Sequence, residues 1–134
     1  MTMASSVADA VIAHAKECRP RECCGILLGT TDHITEAVRA GNLSESPTRF
    51  LIDPKAHIEA RRAARAQGLE VVGFYHSHPH SPALPSATDL AEAQYPGCVH
   101  LIVGFVEGTP EIRIFNYSDG RAIELTPSIL NSEF

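Results

Sequence analysis

An apolar run, Val71-Val72-Gly73-Phe74-Tyr75, passes without a break into His76-Ser77-His78. A stretch this short and this rich in branched and aromatic side chains reads as a strand. Side chains two apart on a strand leave on the same face, so His76 and His78 can aim their imidazoles at one point. Eleven residues beyond His78 stands Asp89, with Ser86 three residues before it, giving His-x-His-x7-Ser-x2-Asp. Two neutral imidazoles and one carboxylate suit a zinc ion and leave a fourth position open to water, an arrangement for chemistry rather than structural support. The same donors also accept other divalent ions.

Each part has a plainer explanation as well. Ser86 and Asp89 fit a capping box, with Ser86 as N-cap and Asp89 three residues on, and Ser6/Asp9 offers a second such pair. The two readings of Asp89 are compatible, because a helix starting at Ser86 would hold the carboxylate rigidly opposite the histidine strand. His80 continues the alternation and could supply a third imidazole, but Pro79 bends the chain between it and His78. His14, His33, His57 and His100 have no partner identifiable in sequence and read as surface or core residues. Cys24 precedes Gly25 in an apolar run and reads as packing, with a catalytic thiol as the alternative. The four cysteines at 18, 23, 24 and 98 fit no paired Cys-x2-Cys pattern and read as free thiols in a reducing compartment.

The rest of the chain supplies the frame. Val7, Val11, Ile12 and Ala15 keep helical spacing from Ser6 to about Glu17, and Arg19-Pro20 closes that helix. Cys23 to Leu28 and Ile34 to Ala40 are strand candidates. Asn42 to Thr48 is a polar loop, followed by a short extended piece, Phe50-Leu51-Ile52. Asp53-Pro54 opens a helix to about Gln67, ended by Gly68. The proline-rich segment Pro79–Pro85 is a loop, and Ser86 starts a short helix that stops near Tyr95-Pro96-Gly97. Val99–Val106, Glu111–Tyr117 and Arg121–Leu125 complete the strands, with turns at Gly108-Thr109-Pro110 and Ser118-Asp119-Gly120. This order predicts one α/β (α+β) domain over residues 1–134, built on a single mixed β-sheet flanked by helices.

Charge narrows the function classes. Eleven Lys and Arg stand against sixteen Asp and Glu, a formal net charge of −5, which argues against nucleic-acid binding driven by phosphate contacts. The cluster Arg61, Arg62 and Arg65 reads as the solvated face of a helix. No apolar stretch approaches the roughly 20 residues of a membrane helix, and the start of the chain lacks signal-peptide features. A cytoplasmic protein with no membrane partner is expected.

Taken together, His76-x-His78-x7-Ser86-x2-Asp89 and the upstream Glu22 in Arg21-Glu22-Cys23-Cys24-Gly25 resemble the signature of the JAMM, or MPN-plus, metallopeptidases. The likeness extends from about residue 7 to residue 117 and is closest to short stand-alone bacterial members. It implies a cytidine-deaminase-like MPN architecture with one catalytic zinc on His76, His78 and Asp89. It further implies Glu22 as general base and Ser86 as donor to the oxyanion. The implied partner is a ubiquitin-like sulfur-carrier protein with a C-terminal Gly-Gly, cut after the second glycine to release cysteine from an adduct or to trim a precursor. Two other classes remain open: a metal-free scaffold, and a DNA-repair-associated relative.

Overall fold

The computed structural model describes residues 1–46, 48–91 and 95–131. The elements run β1 (Thr2–Ala4), α1 (Ser5–Cys18), β2 (Cys24–Thr30), β3 (His33–Ala40), α2 (Pro54–Ala66), β4 (Glu70–Ser77), α3 (Ala87–Ala91), β5 (Val99–Val106), β6 (Thr109–Ser118), β7 (Arg121–Leu125) and β8 (Ser128–Leu130). All strands join one eight-stranded sheet in the order β7-β6-β5-β4-β2-β3-β1-β8. It is mixed, with β4 antiparallel to β2 and parallel to β5.

The histidine strand lies inside this sheet because its side chains serve a core on each face. Tyr75 joins Cys23, Leu27, Leu101 and Val103 beneath the Val7, Val11 and Ala15 face of α1. Phe74 points the other way, with Ile26, Leu28 and Ala60 and Ala64 of α2. Side chains of this size each contribute about 1.5–3 kcal/mol when fully buried. His76 shares the Phe74 face, so the sheet's own alternation sends its imidazole to the α2 side.

Local chemistry sets most element ends. Asp53 caps α2 by accepting the Lys55 N–H at 3.0 Å, with Pro54 at the first turn. Asp119 and Gly120 have φ of 51° and 71°, the pair of positive values that a type I′ hairpin demands. The turn between β5 and β6 is corrected to Glu107-Gly108, with φ of 51° and 80°, so Thr109 and Pro110 belong to β6. The cap expected at Ser6 is not formed. Helix α1 begins at Ser5, directly after β1, and Ala4 occupies the cap position without a side-chain bond. Strands β1 and β8, at one end of the sheet, are additions, three residues each and too short to show a period. Phe50-Leu51-Ile52 is an extended loop tied by one isolated bridge, Asn42 to Ile52. The helix expected from Ser86 appears as α3, and its expected continuation through 92–94 lies outside the described residues. Arg61, Arg62 and Arg65 are exposed, as a solvated face requires. Among the described residues, no helix is long and apolar enough to cross a membrane.

The proline-rich loop is seated firmly on β5. The Phe105 N–H donates to the Ser81 carbonyl at 2.9 Å, and the Ala83 N–H donates to the Glu111 carboxylate at 2.8 Å. Ala83 is fully buried, and Gly104 makes room for it. A Cβ at position 104 would stand 2.1 Å from the Ala83 nitrogen and 2.4 Å from the Pro82 carbonyl carbon. Both are backbone atoms that cannot swing aside. Gly104→Ala should therefore cost about 1–3 kcal/mol of stability by overpacking, measured by urea unfolding; an unchanged midpoint would contradict the loop's seat.

Candidate metal centre

The end of β4 is where the sequence elements converge. Ser77 is buried, and its Oγ accepts the Cys23 N–H at 2.8 Å while its own N–H donates to the Cys23 carbonyl at 3.1 Å. This double tie holds Glu22, one residue before Cys23, against the histidines. The His78 N–H donates to the Val103 carbonyl at 2.8 Å, carrying the extended chain one residue past the strand. Both imidazoles therefore reach the same point, their Nε2 atoms 3.2 Å apart.

Asp89 closes the group from α3. Its Oδ1 lies 3.2 Å from His76 Nε2 and its Oδ2 3.1 Å from His78 Nε2. The capping box is formed in full: the Ser86 N–H donates to Asp89 Oδ2 at 2.9 Å, and the Asp89 N–H donates to Ser86 Oγ at 3.0 Å. The expected cap is thus formed, and it leaves the Asp89 carboxylate facing both histidines.

These distances would suit a metal ion held between the three side chains. Donors about 2.0 Å from a tetrahedral centre stand about 3.3 Å from one another, and the three pairs here measure 3.1–3.2 Å. Two Nε2 atoms facing each other and one carboxylate make an unconvincing hydrogen-bond set, because each neutral ring offers only one N–H. In His78, Nδ1 lies 3.2 Å from the Pro82 carbonyl. A proton on Nδ1 would satisfy that carbonyl and leave the Nε2 lone pair facing inward when a metal is bound, the usual second support of a metal-binding histidine.

Glu22 stands beside this triad. One of its carboxylate oxygens lies within 4.8 Å of a ring nitrogen of each histidine, whereas Asp89 is in ion-pair contact with both. Either carboxylate could complete a three-residue set with the histidines, and Asp89 is the nearer of the two. Glu22 is buried, at 6% exposure. Burial pushes its carboxyl up to about 7, with His78 pulling it down and Asp89 raising it further. Burial lowers His76, favouring the neutral ring that binds metal. In His78, burial is outweighed by the bond and charge of Asp89, and its pKa rises. Asp89 resists burial through the two imidazoles and is held well below the usual carboxylate range.

His14, His57 and His100 stand outside the centre and have partners that sequence did not reveal. His14 Nδ1 is 2.7 Å from the Tyr75 hydroxyl, beneath α1. His57 accepts a bond from Arg61 Nε at 2.9 Å, and His100 stacks on Tyr117. His80 is exposed on the loop. Cys24 is buried with its thiol 3.5 Å from the Gly41 carbonyl, and burial pushes that thiol up to about 12, which suits packing. All four cysteines are free.

Two supporting groups lay outside the sequence motif. The Pro82 carbonyl is a backbone group and leaves no residue-type signal. Phe50 stacks on His76 with ring centroids 4.3 Å apart and planes 18° from parallel; the apolar triplet after the polar loop was its only trace. Phe50 also lines a groove of about 950 Å³ that runs from His76 and Asp89 past Ile52, Ile58, Phe74 and Tyr95.

Residues 4–117 match the family described as prokaryotic homologs of the JAB domain. A desampylase of Haloferax volcanii is 37% identical over 109 residues, 76% of this chain and 78% of that protein. A CysO-cysteine peptidase of Mycobacterium tuberculosis is 28% identical over 127 residues, 92% and 87% of the two chains. Among solved structures, a protein from Desulfitobacterium hafniense superposes with a TM-score of 0.89 at 29% identity, covering 98% of this chain and 93% of that one. A structure described as a JAMM metalloprotease-like zinc site in the proteasome and signalosome shares the fold, with a TM-score of 0.62 at 20% identity and 98% of each chain covered.

The Glu22 carboxyl gives a signed test on metal-free protein. Unfolded, it ionises near 4.5; folded, near 7. Its contribution to stability is complete below pH 4.5 and is lost as pH rises through about 7, because the folded state must then hold a buried charge. Glu22→Gln removes that charge. Its stability relative to wild type, followed by denaturation in a chelator from pH 5 to pH 8, should rise with pH by on the order of 1–2 kcal/mol, allowing for residual solvent contact. A difference that stays flat or falls would contradict the dry setting of Glu22.

Proposed function

Because the chain belongs to the family of prokaryotic homologs of the JAB domain, we propose that it is a zinc-dependent peptidase acting on conjugates or precursors of ubiquitin-like proteins. The observation that carries this reading is the convergence of His76, His78 and Asp89 at mutual distances of 3.1–3.2 Å, with the buried Glu22 beside them.

In this reading residues 1–134 act as a single catalytic domain, and His76, His78 and Asp89 hold the zinc. When bound, zinc supplies Lewis-acid polarisation of the scissile carbonyl and lowers the pKa of water to about 7. Glu22 takes a proton from the attacking water and returns it to the leaving amine. A carboxyl drawn towards neutrality by burial fits both halves of that task, worth about 10²–10⁴-fold in rate. The Ser86 hydroxyl is already committed as an acceptor to the Asp89 N–H, which leaves its proton free to stabilise the developing oxyanion. Such a contact is worth about 3 kcal/mol.

The desampylase and CysO-cysteine peptidase relatives and the form of the site support this substrate class. The bond cut is the one after a C-terminal Gly-Gly of a ubiquitin-like sulfur carrier. Two residues without side chains let the backbone approach the metal closely, while the groove receives the tail before them. Release of cysteine from a carrier adduct and trimming of a carrier precursor use the same chemistry.

Intact-mass analysis of ubiquitin-like carriers bearing a C-terminal cysteine or a short extension, incubated with the zinc-loaded protein, tests the proposal. We expect a mass loss ending at Gly-Gly. Glu22→Ala should retain zinc and lose turnover by at least about 10²-fold, and His76→Ala should lose zinc and turnover together. A fully active Glu22→Ala protein would remove the assigned base, and stoichiometric zinc in His76→Ala would remove the ligand set.

A further inference from the structure

The two imidazoles are held in different ways. His78 is oriented by the Pro82 carbonyl at its Nδ1. Among the described residues Nδ1 of His76 has no such partner, and its ring is instead covered face-on by Phe50 at 4.3 Å. A stacked ring resists tilting of the imidazole plane, so it does by packing what Pro82 does by hydrogen bonding.

Phe50 itself lies on the loop between Gly41 and Asp53, whose described residues form no named strand. Beside Phe50, one side chain bonds the backbone on both sides. The Asn42 amide donates to the Arg49 carbonyl at 3.2 Å, and its oxygen accepts the Leu51 N–H at 2.9 Å. These are the backbone groups on either side of Phe50. The same oxygen accepts the Ser44 N–H at 2.9 Å, and the same amide nitrogen donates to the Glu22 carbonyl at 3.1 Å. Asn42 thereby uses both its donors and both its acceptor sites. Three of these bonds shape the loop, and the fourth ties it to the residue whose carboxylate faces the metal centre. Further ties hold the loop's ends: Leu43 N–H to the Leu51 carbonyl at 2.8 Å, and Asp53 N–H to the Gly41 carbonyl at 3.1 Å.

We propose that Asn42 is a positioning residue of the metal centre, acting through Phe50: it clamps the backbone on both sides of Phe50, which keeps that ring stacked on His76 and the His76 Nε2 aimed at the shared metal position. Asn42 touches neither metal nor substrate in this scheme. It rests on the proposal that His76 is a zinc ligand, and it assigns to a polar loop residue the outer support that a metal-binding histidine needs.

The test uses Asn42→Asp, which keeps the acceptor oxygen for Ser44 and Leu51 but loses both N–H donors, together with Phe50→Leu and Phe50→Tyr. Two readouts are taken. One is zinc affinity by competition with a chromophoric chelator. The other is the carbon-bound proton signals of His76 in metal-free protein, which the Phe50 ring current shifts upfield. Phe50→Leu should lose the upfield shift and weaken zinc binding about 10–100-fold, while Phe50→Tyr, which keeps a ring, should match wild type in both. Asn42→Asp should reproduce Phe50→Leu, and the double variant should be no worse than the single ones. Asn42→Ser, read in parallel, gives a milder loss of the same kind and covers the case in which the half-buried carboxylate of Asn42→Asp prevents folding. Wild-type shift and affinity in the Asn42 variants, or effects that multiply in the double variant, would overturn the proposal. So would normal zinc binding by Phe50→Leu. The His76 spectrum is recorded without zinc or carrier, so failure of the peptidase reading and failure of this one are separate results.

Discussion

The Asp89 carboxylate is the constraint on which the site depends. One oxygen faces His76, the other faces His78 and also accepts the Ser86 N–H. A carboxylate placed among two imidazoles and a helix N-terminus is stabilised by all of them, which is why its proton is so readily lost despite burial. The capping box settles where α3 begins, and that start settles where the carboxylate points. The helix cap and the histidine contacts therefore share one carboxylate, and a change at Ser86 would be felt at both.

The sheet supplies the other half. Placing β4 between β2 and β5 gives His76 and Tyr75 opposite faces, sends the imidazole towards α2, and brings Cys24 opposite His76 in the ladder. Glu22 then reaches the site because Ser77 binds Cys23 from both its hydroxyl and its backbone. The loop after β4 returns over Gly104 so that Pro82 can hold His78. Glu22 and His78 are thus each held through contacts that trace back to the sheet.

Much of this was legible in the chain. The apolar run into His76 and His78, the proline-rich break, and Ser86 with Asp89 gave strand, loop and helix start in the right order, and the structure brings those residues together with Glu22. The same rule misled at Ser6, where β1 leads straight into α1 and no side-chain cap is formed. What stayed hidden was long-range or backbone in nature. A carbonyl such as that of Pro82 has no sequence signature, and the four bonds of Asn42 depend on a loop closing over itself. The three-residue strands β1 and β8 exist only because the sheet edge is there to receive them, so no periodicity could announce them.

The central claim, that His76, His78 and Asp89 together bind the metal, is tested most directly by zinc K-edge X-ray absorption on the zinc-loaded protein. The account predicts two imidazole nitrogens and only oxygen besides, all at about 2.0–2.1 Å. A sulfur scatterer at about 2.3 Å would bring in Cys24 or another thiol, and a third imidazole would bring in His80; either result would contradict the assignment.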